Sequence, residues 1–353
     1  MTPFVYQANA ARVVFGPGSL QQLPQEIERL GARRALILAT PEQAALAARV
    51  ARALDGRAAG VFAEAVMHVP IATARAAREE ARRLDADCAV AVGGGSTVGL
   101  GKAIALESGL PILAVPTTYA GSEMTPIYGL TEDGLKKTGR DPRVLPRTVV
   151  YDPELTLSLP WALTVTSGIN AMAHAAEGLY AADANPVLAL MAEEGIRALA
   201  AAIGALADRA DDLEARGEAL YGAWLCGAVL GSASMGLHHK LCHTLGGSFN
   251  LPHADVHTVI LPHALAYNGA HAAAAMRRIG RALQAADPAR ALFEFAARHG
   301  APTSLRAIGM PEEGLDRAAD LAVQNRYPNP RPLERGALRA LLQRAYDGSP
   351  PQP

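Results

Sequence analysis

Up to about residue 155 the chain alternates short, nearly continuous apolar runs with stretches of helical spacing, and after about Leu159 the strand-like runs stop. RRALILAT (33–40), AAGVFAEAV (58–66), CAVAVGGG (88–95), PILAVPTT (111–118) and RTVVYDP (147–153) predict strands. Between them, PEQAALAARVARALDG and ATARAAREEARRLDAD repeat apolar residues every three to four positions, the spacing of helices. Strands that are apolar at successive positions need cover on both faces, and strands alternating with helices build a parallel sheet. IYGLTEDGLKKTGRDPRVLP (127–146) carries an Asp-Gly turn and predicts a hairpin outside that sheet. From Leu159 on, alanine-rich stretches such as NPVLALMAEEGIRALAAAIGALADRA keep the 3.6-residue period with little β-branching. The expectation is a Rossmann-like α/β domain over residues 1–157 and an all-α domain over 158–353, with the cleft between them as the usual place for a ligand.

The net charge of −1 gives no electrostatic footprint for nucleic acid or for an anionic membrane. No apolar run reaches the ~18 residues of a membrane span. The stretch MTPFVYQANA lacks a signal-peptide pattern, and three cysteines (Cys88, Cys226, Cys242) suit a reducing compartment, so a cytoplasmic location is expected. Only four of the 33 basic residues are lysines, and two of them, Lys102 and Lys240, fall in motif-like stretches. A compact ammonium there is not replaceable by a guanidinium.

AVGGGSTVGLGKAIAL (91–106) sets Gly93, Gly94, Gly95 and Ser96 between a buried strand and a helix. Backbone free of side chains at a helix N-terminus can approach a phosphate, whose charge the open N–H groups favour. The spacing fits neither G-x-G-x-x-G nor G-x-x-x-x-G-K-[ST]. PTTYAGSE (116–123) follows the next strand, so two small-residue loops line the carboxyl edge of the sheet, where dinucleotides bind.

GLHHKLCHTLGGSFNLPHADVHTVILPH (236–263) holds six of the ten histidines. His239 and His243, four apart, share a helix face. Gly246 and Gly247 are expected to break that helix, with His253 on a turn after Pro252. Such a trio suits a metal or a proton relay equally. His174 follows Asn170 by four on a predicted helix. His238, His257 and His263 read as flanking structure, and Cys242 as a buried structural thiol, since no acyl-transfer constellation surrounds it.

FGPGSL (15–20), GGGS (93–96), PTTYAGSE, INAMAHAAEG (169–178), HKLCHTLGGSFNLPH (239–253) and NPRP (329–332) occur in the order seen in the iron-containing alcohol dehydrogenase family. The chain resembles that family, with its dehydroquinate-synthase-like fold, over essentially its whole length. Within it, GGGSTVGLGKAIAL, the 116–146 stretch and NRYPNPRP look like those of the maleylacetate reductases. The resemblance implies hydride transfer from NADH or NADPH and a homodimer. It implies Gly94, Gly95 and Ser96 around the pyrophosphate, and Thr117, Thr118 and Ser122 on the nicotinamide side. The metal quartet of the alcohol dehydrogenases falls on Asn170, His174, His239 and His253, and their second-shell histidine on His243. Asn170 stands where metal users carry Asp, and an amide supplies no anionic ligand. Gly99 stands where alcohol dehydrogenases often carry Asp. Thr40 stands where many relatives carry an Asp for the ribose hydroxyls, so the 2′-phosphate of NADPH is not repelled.

The expected activity is therefore reduction of the carbon–carbon double bond of maleylacetate to 3-oxoadipate in aromatic degradation, with no metal required. His174, His239, His243 and His253 would supply the proton, and Lys240, Arg326 and Tyr327 would face the dicarboxylate. The alternative is an Fe²⁺- or Zn²⁺-dependent alcohol dehydrogenase. A lyase that uses NAD transiently would need a basic phosphate pocket, for which Lys and Arg around the histidines are too few.

Overall fold

The computed structural model describes residues 3–9, 11–132, 135–324 and 327–353. In chain order the first half carries β1 (Arg12–Phe15), α1 (Leu23–Arg29), β2 (Ala35–Leu38), α2 (Ala44–Ala53), β3 (Ala58–Phe62), α3 (Ile71–Arg83), β4 (Cys88–Gly93), α4 (Gly95–Ser108) and β5 (Ile112–Pro116). The hairpin β6 (Ile127–Glu132) and β7 (Leu135–Arg140) follows, then β8 (Thr148–Tyr151). The helices after it are α5 (Trp161–Gly178), α6 (Pro186–Asp208), α7 (Leu213–Ser232), α8 (Leu237–Phe249), α9 (His253–Asn268), α10 (Ala273–Leu283), α11 (Pro288–Arg298), α12 (Gly314–Val323) and α13 (Arg335–Asp347).

Six strands form one parallel sheet in the order β1-β8-β5-β4-β2-β3, and the hairpin stands apart as a two-stranded sheet. The central strands are buried at every position, as strands covered on both faces must be. Ile37, Val90, Val92 and Val115 pack toward α1 and α2, whereas Leu36, Leu38 and Ala89 pack toward α3 and α4. β1 was not expected from the sequence: RVVF is four residues long, buried at one position, and is held by a partner 136 residues away, Arg12 pairing with Thr148.

The chain splits into two compact units. One comprises Ala8–Leu159 with Asp211–Leu220, and the other Met1–Gln7, Pro160–Ala210 and Tyr221–Pro353. In the first, the fully buried Arg216 donates to the Tyr119 hydroxyl at 3.1 Å, which draws the start of α7 into the α/β unit. In the helical unit one core cluster lies between α8, α9, α12 and α13. Among the described residues no single helix is long and apolar enough to cross a membrane.

One local expectation fails. α8 does not stop at Gly246 and Gly247 but runs through both to Phe249, and ends at Asn250 in the left-handed conformation. Glycine inside a helix costs about 0.5–1 kcal/mol, which the apolar face of Leu237, Leu241 and Leu245 in the core offsets. His253 is consequently not on a turn but is the first residue of α9.

Candidate active site

In the α/β unit three loops at the carboxyl edge of the sheet are tied together. Gln43, just after β2, donates from Nε2 to Thr117 Oγ1 at 2.7 Å, and Thr117 N donates to Gly93 O at 3.1 Å. Gly93 lies between them at φ +151°; a Cβ there would sit 2.5 Å from both Gln43 Oε1 and Thr97 Oγ1. Gly94 is the N-cap of α4, no side chain caps that terminus, and a Cβ on it would meet Thr118 at 3.0 Å. Among the described residues the buried Thr97 Oγ1 has no hydrogen-bond partner. A helix N-terminus left uncapped beside a cradle kept open by glycines fits an anionic pyrophosphate. Gly95 is exposed, and Ser96, Thr118 and Ser122 are half-buried. Thr40 is half-buried after β2, and its hydroxyl holds the exposed Glu42 carboxyl below its usual range. A carboxylate therefore stands two residues beyond the position where the sequence suggested none.

In the helical unit α5 and α8 present the histidines. His174 Nδ1 lies 2.8 Å from His239 Nε2, and His239 Nδ1 lies 2.5 Å from Glu177 Oε2. Glu177, 1 % exposed, also accepts from the backbone N–H groups of His238 (2.7 Å) and His239 (3.2 Å). A carboxylate with three donors is an acceptor only, which assigns the proton of His239 to Nδ1 and leaves its Nε2 bare. His174 must then donate from Nδ1, and its bare Nε2 faces the Asn170 amide nitrogen at 3.4 Å. Asn170, His174 and Glu177 share one face of α5 at intervals of four and three. The spacing was visible in INAMAHAAEG, but only the contact with α8 shows what the carboxylate does.

His238 and His257, read from the sequence as flanking structure, belong to the cluster. His238 Nε2 is 2.9 Å from His257 Nδ1, and the His257 ring centroid lies 5.1 Å from His239 and 4.4 Å from His253. Both are fully buried, and desolvation pushes each imidazole well below its ordinary pKa, so both are neutral. Their placement follows from α9 starting at His253, which sets His257 one turn farther on. His263 packs edge-on to Phe293 instead, and burial lowers it to about 4. His253 is half-buried and His243 is exposed, its ring 6.1 Å from His239. Burial pushes the Cys242 thiol up, so it is no nucleophile; it lies 3.6 Å from His238 Nε2.

Lys240 is half-buried on α8, and Arg326 lies outside the described residues. Tyr327 donates its hydroxyl to Ala322 O at 2.9 Å. The NPRP stretch is pinned to the end of α9: the Asn268 and Asn329 amides exchange hydrogen bonds, and Arg331 stacks 4.2 Å over Tyr267. A cavity of about 480 Å³ beside it, lined by Leu179, Tyr180, His271, Pro328 and Asn329, has none of the clustered histidines in its wall.

Nitrogens of His174, His239 and His257 lie within 4.8 Å of one another, so in number and spacing they fit a divalent ion. The set is wholly neutral, because Glu177 is spent on α8. Such an ion would supply Lewis-acid polarisation of a carbonyl.

Residues 10–153 match the model of the iron-containing alcohol dehydrogenases, and residues 164–346 match that of the Fe-containing alcohol dehydrogenase family, C-terminal. The chain is 68% identical to a maleylacetate reductase of Burkholderia cepacia over 351 residues, 99% of this chain and 100% of that one. It is 58% identical to a maleylacetate reductase of Pseudomonas sp. (strain P51), covering 99% of each. The crystal structure of maleylacetate reductase from Agrobacterium tumefaciens superposes with a TM-score of 0.95 at 53% identity, over 99% of this chain and 100% of that one.

Proposed function

The chain belongs to the iron-containing alcohol dehydrogenase family, and from that premise we propose that it reduces the carbon–carbon double bond of maleylacetate, giving 3-oxoadipate, with NADH or NADPH and without a required metal. The identity to maleylacetate reductases over nearly the whole chain supports the substrate. The observation that carries the chemistry is the hydrogen-bonded line Asn170–His174–His239–Glu177, with an amide at its outer end. We also read the protein as a cytoplasmic homodimer in aromatic degradation.

When bound, the reduced nicotinamide supplies the hydride. Gly94, Gly95 and Ser96 would hold its pyrophosphate, and Thr117, Thr118 and Ser122 would line its nicotinamide side. Reduction at the carbon β to a ketone puts charge on the ketone oxygen, and the protein must hold that enolate and return a proton. Imidazoles suit both tasks, since their ordinary pKa lies near neutrality. His253 and His243, the two of the cluster open to solvent, donate to that oxygen and deliver the proton; His174 and His239, whose own N–H groups are already given to His239 and Glu177, form the fixed line that backs them. Conjugation spreads the charge, so hydrogen-bond donors suffice where a simple carbonyl would need a Lewis acid. Lys240 and Arg326 take the substrate carboxylates.

The test is NADH oxidation with maleylacetate against a panel of aldehydes and ketones, before and after dialysis against EDTA. Most of the maleylacetate activity should survive dialysis. Stripped protein that is inactive and revives with stoichiometric Fe²⁺ or Zn²⁺ would establish the metal-dependent alternative.

A further inference from the structure

A lysine ammonium taken out of water without a carboxylate in contact is costly, so the oxygens around it must offset that cost. Lys102, 1 % exposed about two turns into α4, donates to Ser122 O (2.7 Å), Ser122 Oγ (3.2 Å), Thr125 Oγ1 (2.9 Å) and Ile127 O (2.7 Å). All four acceptors lie on one stretch, the segment that leads from the loop after β5 into β6. The same helix begins at the glycine cradle, where Gly94 abuts Thr118. α4 therefore grips the 117–127 segment twice, at the helix mouth and two turns below it.

We infer that Lys102 is a positioning residue for the cofactor, fixing the loop that carries Thr117, Thr118 and Ser122 at a set distance from the pyrophosphate cradle. This rests on the assignment of those two loops to the nicotinamide cofactor. A guanidinium, planar and wider, does not match four oxygens converging on one point, and the site keeps one of four lysines in a chain that otherwise uses arginine.

Burial pushes Lys102 down to about 7; Glu123 opposes that shift and Arg140 adds to it. Glu123 takes the Tyr151 hydroxyl at 2.7 Å, and from α3 Arg78 is spent on Ala103 O and Glu107. The deprotonated amine turns a lone pair toward one of its acceptors, and that loosens the loop. Cofactor affinity is thus full below pH 7 and falls as pH rises through it.

NADH dissociation constants are measured by nicotinamide fluorescence from pH 6 to 9 on wild type, Lys102→Met and Thr125→Val, with maleylacetate turnover in parallel. Wild type should weaken about 10-fold across the range. Lys102→Met should bind about 10-fold more weakly at pH 6 and show no inflection. Should that variant not fold, Thr125→Val, which removes one acceptor from the ammonium, should move the wild-type inflection to lower pH. Wild type that binds NADH with no inflection, or a folded Lys102→Met with wild-type affinity, overturns the inference while leaving the function intact. Wild type that binds neither NADH nor NADPH overturns the function itself.

Discussion

Replacing Glu177 by Gln changes one atom and should disable the proposed relay. The carboxylate accepts from His238 N, His239 N and His239 Nδ1 at 2.7, 3.2 and 2.5 Å. An amide can keep its oxygen on His238 N, but its NH₂ then faces two N–H donors. Relief requires His239 to surrender its Nδ1 proton and carry it on Nε2. His174 must in turn bare Nδ1 and hold its proton on Nε2, against the Asn170 amide. The whole line reverses, and one buried backbone N–H is orphaned. Losing a hydrogen bond to a buried charge costs about 1.5–3 kcal/mol of stability. The wrong tautomer costs more in rate: where a carboxylate orienting a catalytic imidazole becomes an amide, the loss reaches about 10⁴-fold. We expect kcat to fall ~10²–10⁴-fold with NADH affinity unchanged, measured by steady-state maleylacetate reduction and NADH titration, with ¹⁵N-histidine NMR reporting the tautomers. A variant within about threefold of wild-type kcat would refute the relay.

Gly94→Ala should fold, since Gly94 has an ordinary negative φ, yet displace Thr118 by a few tenths of an ångström and narrow the cradle; KM for NADH should rise ~10-fold, and an unchanged KM would place the pyrophosphate elsewhere. His238, His257 and His263 are buried with lowered pKa, so the unfolded chain binds protons the folded one does not, and stability present above pH ~6.5 is lost below it at about 1.4 kcal/mol per pH unit for each. Urea midpoints between pH 7 and 5 should show this, and His263→Leu should flatten the slope by about a third; an equal slope contradicts it. Lys240→Met should raise KM for maleylacetate ~10-fold, and normal binding would mean the carboxylates are held by other groups. On the proposed cofactor site Thr40 would admit NADPH, and the exposed Glu42 carboxyl, held below its usual range by the Thr40 hydroxyl, would repel the extra phosphate; Glu42→Gln should then raise NADPH efficiency relative to NADH ~10-fold, and an unmoved ratio would remove Glu42 from the ribose.

The strands β2, β4, β5 and β8 were legible because burial on both faces leaves a run of apolar residues, and β3, an edge strand with only Phe62 buried, was legible from its place between two runs of helical spacing. β1 left no such record, since only Val14 of its four residues is buried and its stability comes from β8. The histidine cluster was half legible. The interval of four along one helix is visible in sequence and pointed to His239 and His243, whereas Asn170 and His174 were picked out only by the family resemblance. The contacts of His238 with His257, and of Glu177 with α8, join residues 19 and about 60 positions apart, and periodicity carries no information at that range. The helix end was misplaced because two glycines weaken a helix without ending it, whereas Asn250 in the left-handed conformation does end it.

The buried pair Arg216–Tyr119 has a consequence for biosynthesis. The α/β unit is not finished when its last strand has been made: Asp211–Leu220 belongs to it, and those residues come after α5 and α6. At about 5–20 residues per second, the roughly 60 residues separating Leu157 from Arg216 hold back completion for about 3–12 s. Through that interval the nascent sheet waits for its final side chain while helices of the other unit are already emerging. A gene cut at the apparent domain boundary would yield a fragment whose Tyr119 lacks that guanidinium permanently, so the two halves of this enzyme are coupled by the order in which they leave the ribosome.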